Sequence, residues 1–152
     1  MDRNRHHLRY VILFLVALAI GSGAAFASER WETLQAINWV ENPHNSTKVG
    51  PRGELGPYQF RPSTWRMHTK KPFARAVERQ AADDVAVRHY EWLKRGLESN
   101  GIEATPYNIA LAWNAGLDQV VNGRAPAAAY EYASQVNNLV AHLKGRQLAN
   151  SP

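Results

Sequence analysis

Trp31-Glu32-Thr33-Leu34-Gln35-Ala36-Ile37-Asn38-Trp39-Val40-Glu41 is the stretch whose periodicity sets the fold class. Trp31, Leu34, Ile37 and Val40 recur at three-residue steps, and Ser28, Glu29 and Glu32 supply an N-terminal turn. This predicts a helix of roughly three turns ending near Asn42-Pro43. Behind it comes a segment dense in turn formers: Pro43, Asn45, Ser46, Gly50, Pro51, Gly53, Gly56 and Pro57. Pro62, in a first-turn position ahead of Ser63, Thr64 and Trp65, restarts helical structure. From Phe73, the positions Val77, Ala81, Val85, Trp92 and Leu93 predict one long helix, stopped by Asn100-Gly101. Thr105-Pro106 reads as a cap and first-turn proline for a helix through Ile109 and Leu111, with Gly116 behind it. After a turn at Asn122-Gly123, Pro126 opens a last helix carrying Ala129, Tyr132, Val136, Val140 and Leu143 on one side. Strand-like alternation is scarce, so the expected fold class is mostly α.

At 152 residues the chain is one ordinary domain at most, and 45% hydrophobic against 20% charged residues fits a folded core. Zero cysteines exclude a disulfide framework, thiolate metal sites, Fe–S clusters and a cysteine nucleophile. Residues 1–27 read as a signal peptide: Arg3, Arg5 and Arg9 precede the uncharged run from Val11 to Ile20, and Ala25-Phe26-Ala27 has the form of a cleavage site. The run from Val11 through Ala27 is short for a spanning anchor, which needs about 20 apolar residues. Export to the periplasm or medium is therefore expected, with 28–152 as the working domain and no membrane association beyond the leader. The leader holds three arginines and Asp2, so 28–152 keeps a modest positive balance of the overall +5. Arg61, Arg66, Lys70, Lys71, Arg75 and Arg79 cluster against Glu78 alone. They read as a solvated helix face, or as a patch for a polyanion. Only Trp65 and Phe73 fall among them, fewer than the run of stacking rings in a single-strand binder, and no nucleic-acid partner is expected.

Glu41 is out of place for a solvent residue. It lies four residues after Ile37 and seven after Leu34, on the same face as the apolar stripe. It also falls in the last turn, where the macrodipole disfavours a carboxylate. Desolvation and the dipole both raise a carboxyl pKa, and a carboxyl kept protonated is what glycosidic cleavage requires of its acid. Taken alone, the helix equally fits a frayed end with an ordinary exposed Glu41. The following loop favours the first reading: Tyr58 and Gln59, flanked by Gly56 and Pro57, suit close approach to a ligand, and Trp113-Asn114 stands just before Ala115-Gly116. Rings and side-chain amides are the usual means of holding sugars.

In their order, these stations resemble the catalytic domain of the soluble lytic transglycosylases, the goose-type-lysozyme-like fold that cuts bacterial peptidoglycan. The family's Glu-Ser, Gly-Leu-Met-Gln, Ala-Tyr-Asn-Ala-Gly and late tyrosine correspond here to Glu41-Asn42, Gly56-Pro57-Tyr58-Gln59, Ala112-Trp113-Asn114-Ala115-Gly116 and Tyr132 ahead of Gln135-Val136. The 18-residue gap from Glu41 to Gln59 matches, as do Pro51 and Gly53 within it. The resemblance spans essentially all of 28–152. It implies a lysozyme-like helical domain with a substrate groove, Glu41 as catalytic acid and then base, and Gln59 and Asn114 on the sugars beside the cleaved bond. Tyr132 would lie close to the glutamate, while Tyr58 and Trp113 would line the groove. Asn42, in place of the family's serine, would still serve the substrate. Pro57-Tyr58 departs from Leu-Met, and Glu54 stands where a small uncharged residue is usual.

The expected reaction is cleavage of the β-1,4 bond between MurNAc and GlcNAc, leaving an anhydro-MurNAc end, with peptidoglycan strands as partner, no cofactor and a monomeric enzyme. Ordinary glycosidases need two carboxyls; the substrate's acetamido and 6-hydroxyl groups would replace the second. The alternatives are a hydrolytic muramidase in which Glu54 is the second carboxylate, and a wall-binding domain without turnover. His44, His68, His89 and His142 show no metal-ligand spacing, and no metal site, phosphate loop or nucleophile elbow is legible.

Overall fold

The computed structural model describes residues 29–149, and the expected signal peptide and its cleavage site lie outside them. Within these bounds the protein is mostly α: α1 (29–41), α2 (Pro62–His68), a 3-10 turn (Phe73–Val77), α3 (Arg79–Ser99), α4 (Pro106–Ala115), α5 (Leu117–Val121) and α6 (Ala127–Ala149). Among the described residues no helix is long and apolar enough to cross a membrane.

The core gathers on α4. Ile109, Ala110, Leu111 and Ala112 are buried in succession, so this helix is enclosed on all sides. It packs most extensively on α6 and also meets α3 and α5. Its ends follow the local chemistry: the Thr105 hydroxyl accepts the Asn108 N–H at 3.2 Å, Pro106 fills the first turn, and Gly116 leaves the helix at φ 90°. Helix α1 is tied to its neighbours at both faces, through Arg30–Glu91 to α3 and Glu29–Lys144 to α6.

Two helical expectations are corrected. Trp31 is 45% exposed, and the buried face of α1 is instead Thr33, Leu34, Ala36, Ile37 and Asn38. Steps of three fall about 60° short of a full turn, so the outer members of a three-spaced set rotate off the core. The segment from Phe73 is not one helix: the 3-10 turn ends at Glu78, whose ψ of 121° separates it from α3. Of the expected positions Ala81, Val85 and Leu93 are buried, but Trp92 is 37% exposed, and α3 also buries Ala82, Ala86, His89, Tyr90 and Leu97.

The turn-rich segment is ordered by its own bonds. Leu55 and Phe60 form an antiparallel bridge, closing the four residues Gly56–Gln59 into a tight hairpin. Gly56 has φ +81°, and a Cβ there would lie 1.8 Å from the Ala76 carbonyl oxygen, so the hairpin docks on the 3-10 turn through a contact only glycine permits. The basic cluster spreads over α2, the 3-10 turn and the start of α3. Several of its members are paired, Lys71 with Asp84, Arg75 with Glu78 and Arg79 with Asp83.

Candidate active site

Glu41 ends α1 against α6, where the Tyr132 hydroxyl donates to its Oε1 at 2.8 Å. Ninety-one residues separate the two, so the pair is a product of the α1–α6 packing. Burial raises the Glu41 pKa; the tyrosine hydrogen bond opposes that, and the charge of Glu54 adds to it, leaving a net rise. Tyr132 is itself pushed well above the usual phenol range, by burial first and then by the Glu41 charge, so it remains a donor.

Glu41 opens onto a cavity of about 500 Å³, whose wall includes Glu54, Gln59, Trp113 and Asn114. A second cavity of about 280 Å³ is lined by Glu41, Pro51, Arg52, Glu54 and Gln59. Glu41 thus sits where two cavities share a wall. The separate stations of the sequence converge here: α1 contributes Glu41, the hairpin Gln59 and the end of α4 Trp113 and Asn114, while Tyr132 of α6 lines neither cavity and reaches the site through its bond to Glu41.

Gln59 holds the last hairpin position at φ 46°, strained for a residue with a Cβ, and its Nε2 donates to the Gly56 carbonyl at 2.9 Å. Glu54 is under opposing influences. Burial pulls its pKa up, but the backbone N–H groups of Arg52 and of Glu54 itself, with the charges of Arg61 and Arg52, outweigh that and hold it below the ordinary carboxyl value. The Arg52 N–H donates to its Oε2 at 2.8 Å. Two carboxyls therefore line one cavity with their pKa values moved in opposite directions.

Two of the expected substrate contacts have their polar groups engaged within the protein. Asn42 is buried, and its amide serves the loop: Nδ2 donates to the carbonyls of Ser46 and Gly56 at 2.9 and 3.1 Å, while Oδ1 accepts the Ser46 N–H at 2.8 Å. Both donors are taken up inside the protein, so Asn42 holds the hairpin in place of a ligand. Tyr58 is only 1% exposed, its ring set against Phe60 and Trp113 and its hydroxyl donating to Asp83 at 2.6 Å. It lines the cavity as expected, but with almost no free surface and its hydroxyl taken up by Asp83 it serves as part of the wall more than as a hydrogen-bonding contact. Burial and the Asp83 bond and charge push its pKa above the normal phenol range.

The Tyr58–Asp83 bond belongs to a network not anticipated from the sequence. Arg79 donates to Asp83 at 2.9 Å, to the Tyr58 oxygen at 3.3 Å and to Asn38 Oδ1 at 3.0 Å. Asn38 in turn donates to the Pro57 carbonyl at 2.9 Å. The hairpin is thereby fastened to α1 and α3 at once. One signal was available: Asn38 lies four residues after Leu34 and three before Glu41, a polar side chain on the buried face. A second unexpected feature is His89, buried beside the cavity and 2.9 Å from the His68 ring. Burial, with the neighbouring His68, lowers the His89 pKa to about 3, so His89 is neutral at physiological pH; burial lowers the His68 pKa as well.

No family model matches the chain, and neither do any curated protein or any solved structure.

Proposed function

We propose that the protein is an exported lytic transglycosylase of lysozyme-like fold that cleaves the MurNAc–GlcNAc bond of peptidoglycan. The observation that carries this reading is the Glu41 carboxyl, partly desolvated and raised in pKa, opening onto a cavity whose wall holds an amide pair and an indole. A protonated Glu41 gives its proton to the departing sugar oxygen as the bond to the anomeric carbon breaks. The same carboxylate then takes the proton of the 6-hydroxyl, whose oxygen closes on the anomeric carbon. No water is added, and Glu41 returns to its starting state. Tyr132 fixes the carboxyl by its hydrogen bond and moderates the rise in its pKa. Gln59 and Asn114 serve the acetamido and hydroxyl groups, and Trp113 presents an apolar face to the ring.

A second reading has an observation of its own. Glu54 lines the same cavity and is held ionised, and a raised acid beside a lowered carboxylate is the pairing of a two-carboxyl hydrolase. In that case Glu54 directs a water. Mass spectrometry of fragments from purified wall separates the two: the transglycosylase leaves anhydro ends, whereas hydrolysis leaves ends heavier by one water. Glu41→Gln is expected to abolish both products while wall binding and folding persist. Full activity in that variant refutes the assignment of the acid. Retained wall binding with no product from the parent protein marks a binding domain.

A further inference from the structure

The 500 Å³ cavity does not end at the residues around Glu41. It continues along α3 and α2 to Trp92 and Met67, which line this cavity and not the smaller one. Trp92 is 37% exposed and Met67 53%, so both present apolar surface at the cavity.

The Trp92 ring is also fixed in place. It lies nearly parallel to the His89 imidazole, at 11° and 5.7 Å between centroids, and edge-on to His68 at 6.4 Å. His89 is itself set edge-on against Trp113 at 4.8 Å and joined to His68 at 2.9 Å. Trp113, His89 and Trp92 form a continuous aromatic row along the wall. The backing is neutral because His89 is buried beside another imidazole, so the row offers apolar faces and no charge. Ser63, Thr64 and Arg61, on or beside α2, line the same cavity and bring hydroxyl and guanidinium groups to its rim. A flat, held ring bordered by hydrogen-bonding groups suits a pyranose, whose C–H face is apolar and whose edge is polar.

We infer that Trp92, with Met67 beside it, is a stacking platform for an N-acetylated aminosugar ring of the same glycan strand, remote from the bond that is cut. This inference rests on the proposed transglycosylase reading and extends it, assigning the Trp92 side of the cavity to glycan held beyond the sugars served by Gln59 and Asn114.

The test uses N-acetylglucosamine oligomers of two and six sugars, titrated calorimetrically into the non-cleaving Glu41→Gln protein. Adding Trp92→Ala is expected to weaken the hexamer roughly three- to tenfold, as loss of one aromatic contact does, and to leave the dimer unchanged. Trp92→Phe should restore hexamer binding to within about twofold, because a smaller ring still stacks. The Trp92 indole N–H resonance, assigned by its loss in Trp92→Phe, should shift on adding hexamer, a readout that does not depend on how the alanine variant folds. Unchanged hexamer affinity together with an unmoved resonance overturns the platform. So does an effect of Trp92→Ala confined to self-association, which would make the ring a contact between copies. If the parent protein cleaves wall while these results are negative, the platform alone falls; if it neither cleaves wall nor binds any oligomer, the transglycosylase reading falls as well.

Discussion

Glu41 combines a favourable site for chemistry with an unfavourable one for stability. Its folded pKa is raised, so above the ordinary carboxyl value the folded state retains a proton that the unfolded chain has released. Stability is therefore lost as pH rises through that window, and it stays lost above the raised pKa. Glu41→Gln removes the penalty. At about pH 7 the variant should melt a few degrees above the parent, and the gap should shrink towards pH 4, as calorimetry at both values would show. An equal gap at both would mean that the carboxyl is not perturbed. Tyr132→Phe acts on the same group from the other side. Removing a donor that favours the carboxylate raises the Glu41 pKa further. The alkaline limb of the pH profile of kcat/KM should move to higher pH, with a loss of roughly tenfold or more at the optimum. A purely structural tyrosine would lower the rate without moving that limb.

The decisive element is the hairpin that carries Gln59. Turn chemistry made the loop legible though not its hairpin: Gly53 and Gly56 stand at positive φ, where the structure bends. Its anchoring was not legible, because the partners come from α1 and α3 and are set by packing. Asn42 was expected among the sugar ligands, but its burial assigns its amide to the Ser46 and Gly56 carbonyls. Asn42→Ala should cost about 2–3 kcal/mol in urea denaturation, since buried backbone groups lose their partners. Asn42→Ser should recover little of it, a hydroxyl being too short to bridge both carbonyls. Gly56→Ala is more severe. The added carbon would meet the Ala76 carbonyl oxygen at 1.8 Å in a backbone already at φ +81°, so a loss above about 3 kcal/mol is expected, visible as a large drop in the denaturation midpoint.

For the molecule as a whole, His89 links the core to acid sensitivity. Its folded pKa is about 3, against a reference near 6.5, because burial and the adjacent His68 disfavour the imidazolium. Below the reference value the unfolded chain gains a proton that the folded state excludes, so stability is complete above about pH 6.5 and declines as pH falls towards 3. Glu41 pulls the other way over part of that range. Circular dichroism melts across pH 3–7 should show falling thermal stability on acidification, and His89→Gln should flatten the decline. If the slope is unchanged in that variant, other groups control acid unfolding.

The helical class, the ends of α4 and the order of the groups around Glu41 were readable from the chain alone, because periodicity, caps and turn residues act over a few neighbours. The sequence placed Glu41 on the buried face of α1, since an i, i+4 relation needs no knowledge of what the helix packs against. Which polar side chains face the cavity and which hold its wall was set by packing in three dimensions. Asn42 moved to the second role, Tyr58 lines the cavity with its hydroxyl held inside the fold, and Asn38, Arg79 and His89 joined the surroundings of the site. The same amide or phenol recognises a ligand when its partners lie outside the fold and supports a loop when they lie within. The contacts that made that distinction span 4 and 14 positions for Asn42 with Ser46 and Gly56 and 25 for Tyr58 with Asp83, and the longer ones exist only once the hairpin has packed on the helices.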